Sequence, residues 1–236
     1  MGDYSNMASY YDVIMTSGYY DYAKIVDNLV LQENVESILE IGCGTGLILQ
    51  ELIQRKPHLQ ISGIDLTASM LAIAQERLKS FSNIVLSQQN VCDLHLPKVH
   101  DLIFSYGGVW YFVVDGDSEP FLVSHIAEHE ANVQGIEKMA QHLSAKGDLL
   151  LGIQGPHHDY ETVISNGTKY SQKIDPTDIG FTKHYYLFDG SKTLMAQTVK
   201  YRTYKLGEVE KMLSQHGLIY QPETRENKLF LRFSRA

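Results

Sequence analysis

Ser37-Ile38-Leu39-Glu40-Ile41-Gly42-Cys43-Gly44-Thr45-Gly46-Leu47 decides the fold of this chain. It opens as a short apolar run of strand length and then places glycine at every second position. Beyond it, Leu47, Leu49, Leu52 and Ile53 recur at helical spacing until Pro57. The stretch therefore reads as a strand, a glycine turn and a helix. Glycines lack Cβ, so such a turn lets a ligand lie against the backbone at the carboxyl edge of a sheet, where open α/β folds bind their ligands.

Working outward, the same rhythm repeats. A predicted strand at 59–64 stops at Asp65, and a helix spans about 67–79 with Thr67 as its cap. Strands follow at 84–89 and 101–106, then a long helical region from about 119 to 143 and a strand at 148–153. This alternation predicts an α/β fold, Rossmann-like and doubly wound, with seven strands, antiparallel strands at one edge and helices on both faces. After residue 155 the rhythm changes. Lys183–Phe188, an Asp189-Gly190 turn and Thr193–Tyr204 read as a hairpin, hence a small antiparallel β insertion after the fifth strand. A helix over 206–216 and strands at 218–221 and 228–233 close the chain. One domain is expected over 1–236: a tyrosine-rich helical lid (1–34), a core (35–154), the insertion (155–204) and the closing elements (205–236).

Composition narrows the function. With 236 residues and 44% hydrophobic content, the chain is long enough to bury its own core. A net charge of −8 offers no basic field for a phosphate backbone, so no nucleic-acid partner is expected. Two cysteines, Cys43 and Cys92, fit a reducing, cytoplasmic setting. No apolar run reaches the roughly 18 residues of a membrane span, so no membrane partner is expected either. Ten histidines are scattered, and His157 and His158 are adjacent, an arrangement that does not suit one ion; no metal site is predicted.

The glycine spacing is GxGxG. The dinucleotide fingerprint GxGxxG would require glycine where Leu47 stands. Asp65, about 20 residues beyond the turn, ends the second strand where an acid can accept bonds from both ribose hydroxyls. The tract, with Gly63-Ile64-Asp65-Leu66-Thr67-Ala68-Ser69-Met70-Leu71, resembles the first two motifs of the class I S-adenosylmethionine-dependent methyltransferases, and the resemblance extends to about residue 154. It implies S-adenosylmethionine as cofactor, with Gly42, Cys43, Gly44 and Gly46 around its amino acid end and Asp65 on the ribose. It also implies Asn90 at the adenine, with Leu66, Met70 and Val91 as apolar walls. Many members have aspartate where this chain has Asn90; an amide oxygen still accepts a bond there.

The acceptor side is read from the ends of later strands. Ser105-Tyr106-Gly107-Gly108-Val109-Trp110-Tyr111 supplies backbone that approaches the cofactor and aromatic faces suited to a cation. Gly155-Pro156-His157-His158-Asp159-Tyr160 lies beyond the fifth strand, so His157 and His158 are candidate bases and Tyr106 a candidate catalytic partner. Tyr11, Tyr19 and Tyr22 of the N-terminal segment are expected to face inward. Within the family the tyrosine segments, the insertion and the Glu208-Val209-Glu210-Lys211-Met212 ending resemble small-molecule N-methyltransferases of the amino-sugar dimethylating type. That resemblance implies a small-molecule acceptor, an amine first and a hydroxylated metabolite second. It also implies a homodimer through the 183–204 hairpin. A non-catalytic cofactor-binding regulatory subunit is the reading from another class.

Overall fold

Strand β1 (Ser37–Ile41) carries a nearly unbroken buried pattern because it lies at the centre of a parallel sheet covered on both faces. β2 (Gln60–Asp65) pairs with one edge of it and β4 (His100–Ser105) with the other; β3 (Ile84–Gln88) extends the β2 side. β7 (Leu143–Gln154) runs parallel beside β4. β13 (Phe230–Arg235) is antiparallel on β7, and β12 (Leu218–Gln221) is antiparallel on β13. The helices α3 (Leu47–Arg55), α4 (Ala68–Leu78), α5 (His129–Gln141) and α6 (Leu206–Ser214) bury their apolar stripes between these strands and solvent. The computed structural model describes residues 4–32, 34–222 and 229–236. Residues 1–3 and 33 of the expected lid, and 223–228, where the last strand was predicted to begin, lie outside the described residues.

The expectation of seven strands is too small. Seven strands (β3-β2-β1-β4-β7-β13-β12) form the doubly wound part, but the described residues contain thirteen in all. The other six are β5 (Trp110–Val113), β6 (Phe121–Ser124), β8 (Tyr160–Val163), β9 (Lys169–Thr177), β10 (Gly180–Asp189) and β11 (Lys192–Lys205), and they continue the sheet from β7 in the order β5-β6-β11-β10-β9-β8. The insertion after the fifth parallel strand is therefore larger than one hairpin, and its inner edge is built from β5 and β6, which precede that strand. The helix expected from about 119 to 143 divides into β6 and the shorter α5. Phe121-Leu122-Val123 pair with β5 and β11 because aromatic and β-branched residues fit a pleated surface. Asn132 then fixes the turn into α5: its amide donates to the carbonyls of Ile126 and Glu128 and accepts from Trp110 Nε1 at 2.8 Å.

The N-terminal segment forms α1 (Ala8–Ile14), a wide turn over Met15–Tyr19 broken at Gly18, and α2 (Tyr22–Val30). It is fastened to both halves of the molecule. Asp12 accepts from Thr45 Oγ1 of the glycine turn at 2.6 Å and pairs with Arg77 of α4, whose Nε donates to the Thr45 carbonyl at 2.8 Å. On the other side Tyr4 shares a 2.7 Å hydroxyl bond with Tyr201 of β11. The lid thus bridges the parallel sheet and the insertion.

Candidate functional site

At the carboxyl ends of β1, β2 and β4, two glycine-bearing turns meet back to back. A Cβ on Gly42 would stand 2.9 Å from Gly108 Cα, and Gly42 has φ +79°, so this position requires glycine on both counts. The turn is held to the neighbouring strand by bonds of 2.9 Å from Gly42 N and Cys43 N to the Ile64 carbonyl. Asp65 accepts from Gly44 N and Thr67 N, each at 2.8 Å. Each carboxylate oxygen thus keeps lone-pair capacity toward the space beyond. Burial pushes the Asp65 carboxyl up, while these backbone donors pull it back.

Beyond them lies a cavity that opens to solvent, with about 880 Å³ of unfilled space when its mouth is included. Of the residues singled out in the sequence, Tyr11, Tyr19, Gly42, Gly44, Asp65, Leu66, Met70 and Val91 line it. Four other cofactor candidates do not. Cys43 is buried behind the turn. Gly46 caps α3 and packs on Ala74 and Leu78. Asn90 turns its oxygen to Cys92 N at 3.0 Å to cap a short helical turn. Ser105 lies beneath Gly108. At the position expected for Asn90, the lining is made by its neighbour Gln89.

The donor set suits S-adenosylmethionine. The aliphatic wall of Leu66, Met70 and Val91 suits an adenine, and the Asp65 carboxylate at the cavity wall suits ribose hydroxyls. Beneath the turn, Glu40 is 2% exposed and its Oε2 has no hydrogen-bond partner among the described residues. Burial, reinforced by Asp65, pushes that carboxyl well up, and a ligand's ammonium group near the glycine turn would relieve it. Glu40 was missed as a site residue because inside a buried strand it reads as an anomaly of the core.

The other half of the cavity is aromatic: Tyr19, Tyr111, Tyr185 and Tyr201 surround His125 and Lys183. His125 reaches the Tyr4 hydroxyl through Nδ1 at 3.4 Å, packs on the Tyr201 ring at 4.7 Å between centroids, and leaves Nε2 without a partner. Lys183 is 1% exposed, and its Nζ has Tyr19 Oη at 3.4 Å. Neither was read from the sequence. A signal existed for the lysine: Lys183, Tyr185 and Leu187 alternate on one buried face of β10, and a charge in such a row is out of place.

Tyr106, His157 and His158 are gathered in an adjoining groove, separated from the cavity by Tyr19, Tyr20 and Gln154, which line both. Tyr106 packs against Tyr20 and Phe230, each 5.4 Å away between ring centroids. His158 is exposed; His157 is half-buried between Tyr111 and Phe181, each 5.6 Å away. Asp159 caps the Ile174 amide, so it does not orient either histidine. Among the described residues no cluster of metal-ligating side chains is present, and no helix is long and apolar enough to cross a membrane.

Neutral buried imidazoles give a pH prediction. Burial pushes His100 down to about 4 and His125 to about 3. The unfolded chain takes up these protons near 6.5, so their contribution is present above that pH and lost as pH falls toward 4. The raised carboxyls of Glu40 and Asp65 act in the opposite sense, so the effect is isolated by substitution. Between pH 7 and 5 the wild type is expected to lose more stability than His100→Gln, by ~2 kcal/mol. Equal losses in thermal melts would mean that His100 is protonated in the fold.

The fold and the glycine turn with its acid define a class I methyltransferase architecture. The family described as "Methyltransferase domain" matches residues 38–129, the segment that carries the glycine turn and Asp65. The ribosomal RNA small subunit methyltransferase A of Persephonella marina is 36% identical over 78 residues, 33% of this chain and 29% of its own length. The demethylmenaquinone methyltransferase of Thermotoga maritima is 39% identical over 70 residues, 30% of this chain and 31% of its own length. The chain thus spans less than a third of these relatives. Likeness of fold is more extensive. The sugar N-methyltransferase KedS8 of Streptoalloteichus covers 100% of this chain and 94% of its own, with TM-score 0.68 and 19% identity. CalS10, an amino pentose methyltransferase of Micromonospora echinaspora, covers 96% of both chains, with TM-score 0.68 and 15% identity.

Proposed function

We propose that this chain transfers a methyl group from S-adenosylmethionine to the nitrogen of a small amine of the amino-sugar type. The observation that carries the proposal is that one lid-covered cavity joins a half suited to the cofactor to an aromatic half lined by Tyr19, Tyr111, Tyr185 and Tyr201. When bound, the cofactor supplies an electrophilic methyl group on a sulfonium. The chain contributes position: in-line displacement gains most from holding two reactants in place and from excluding water.

The aromatic half also handles the proton. Burial alone pushes the Lys183 ammonium down to about 7, so an amine entering the same surroundings sheds its proton for the same reason. A hydroxyl acceptor would need a base, and His125, pushed down to about 3, is a poor one. His157 and His158 lie in the adjoining groove. His157→Ala and His158→Ala are each expected to change turnover by no more than a few-fold, and a loss of about a hundredfold would make one of them the base after all. The likeness to the sugar and amino pentose N-methyltransferases over nearly the whole chain supports the amine reading.

The same reading includes a cytoplasmic homodimer. Both edges of the β10–β11 hairpin are paired within the chain, so a second copy would meet its outer face, where Tyr186 and Phe188 stack. Isothermal titration tests the cofactor assignment. S-adenosylhomocysteine should bind and NAD should not; tight NAD binding with no response to S-adenosylhomocysteine would overturn it.

A further inference from the structure

Lys183 is a cation that the fold buries with no anion beside it among the described residues. Its Nζ has the Tyr19 hydroxyl at 3.4 Å and lies over the Tyr185 ring, 5.2 Å from the centroid. Asp65 is the only carboxylate lining the cavity among the described residues, and it is engaged at the glycine turn. Around the lysine the unmet polar groups are also nitrogens: His125 Nε2 faces the same half, and His157 Nδ1 lies behind it, both buried without a partner. Structural lysines at buried positions are paired, because an isolated charge is driven out or neutralised. An unpaired one lining a cavity marks a partner that arrives from outside.

We propose that Lys183 recognises an anionic oxygen group of the acceptor, so that the substrate carries a carboxylate or phosphate beside its nucleophilic nitrogen. The proposal rests on the aromatic half being the acceptor site. An incoming oxyanion would accept from Nζ and from the Tyr19 hydroxyl, two donors already side by side, in surroundings where a charge-assisted bond is strong. A simple cationic amine with no anion would meet a lysine and, among the described residues, no counter-charge in that half. Specificity then comes from the β insertion, while the cofactor is held by the parallel sheet.

The titratable groups around Lys183 are Tyr19 from the lid, His125 after β6 and Tyr185 on its own strand, with Tyr111 from β5 and Tyr201 from β11 lining the same half and His157 behind it. Burial raises these phenols and lowers both imidazoles, so near neutral pH the lysine is the group that titrates.

The test titrates the full chain, with and without saturating S-adenosylhomocysteine, with benzoate, phenyl phosphate, benzylamine and benzyl alcohol. Benzoate or phenyl phosphate should bind at least tenfold more tightly than the alcohol or the amine, and the better of the two identifies the oxyanion. Lys183→Met should abolish that preference while leaving S-adenosylhomocysteine affinity unchanged. Should the variant fail to fold, the wild type still decides: benzoate affinity should weaken progressively from pH 6 to 9 as free Lys183 loses its proton. A pH-independent benzoate affinity, equal binding of the alcohol, or a preference retained in Lys183→Met would overturn the proposal. Absence of S-adenosylhomocysteine binding would strike the proposed function instead, because the anion titration is read without it.

Discussion

Asp65→Ala is expected to weaken S-adenosylhomocysteine binding at least tenfold while the protein remains folded. The carboxylate ends β2 with its oxygens on Gly44 N and Thr67 N and lines the cavity. Two charge-assisted bonds to ribose hydroxyls are worth about 1.5–3 kcal/mol each at most, and about 1.4 kcal/mol is already tenfold in affinity. Losing the two backbone contacts costs less, because both amides border the cavity and water replaces the lost acceptor. Titration calorimetry beside a thermal melt separates the two effects. Parent-like affinity in the variant would reduce Asp65 to a brace for the glycine turn.

Gly42→Ala should produce a large loss of stability, because backbone strain and a close backbone contact act together at this position. The new Cβ would face Gly108 Cα at 2.9 Å and Val109 N at 3.1 Å, both backbone atoms that no rotamer change can move. The left-handed φ adds roughly 1 kcal/mol, and overpacking about 1–3 kcal/mol. For a chain of this length the total corresponds to roughly 4–16 °C in Tm. Gly116→Ala is the control: its φ is also positive, at +56°, but a Cβ there meets nothing within 4 Å. Only the strain should appear in that variant. If both melt alike, the two turns are not in close contact and the cavity floor is less rigid than described.

The legible parts of the fold were those in which local pattern and tertiary role agree. β1, its glycine turn and α3 were readable because a buried parallel strand is an unbroken apolar run and only glycine fits the turn. Strand β12 likewise has the residues expected for it. The region from 110 to 124 was not legible. Trp110–Val113 and Phe121–Ser124 are short runs of four residues, too short for periodicity to separate strand from helix, and β11, the outer partner of Phe121–Ser124, lies some 80 residues further on. The same long-range pairing hid His125, which is aimed into the cavity by β6.

The site divides in the same way. Gly42, Gly44, Asp65, Leu66, Met70 and Val91 cluster because they follow consecutive parallel strands whose ends share one sheet edge. Residues assigned by proximity in sequence fared differently. His157 and His158 follow β7 at that edge, yet the lid tyrosines Tyr19 and Tyr20 stand between their groove and the cavity. Lys183 lies far along the chain from every cofactor residue, and only the pairing of β10 with β9 and β11 brings it to the aromatic half. Side chains on an antiparallel insertion are placed by register, which a single sequence specifies weakly.

The central claim is methyl transfer to a small amine, and mass spectrometry of products tests it most directly. The full chain is incubated with S-adenosylmethionine carrying an isotopically labelled methyl group and a panel of small amines, amino sugars, amino acids and phenols. The account predicts label on the nitrogen of at least one amine-bearing acceptor and an equal amount of S-adenosylhomocysteine, with formation of both lowered at least about tenfold by Asp65→Ala at limiting cofactor. Label appearing only on phenolic oxygen would contradict the acceptor assignment, and cofactor that binds but is consumed with no member of the panel would contradict the account.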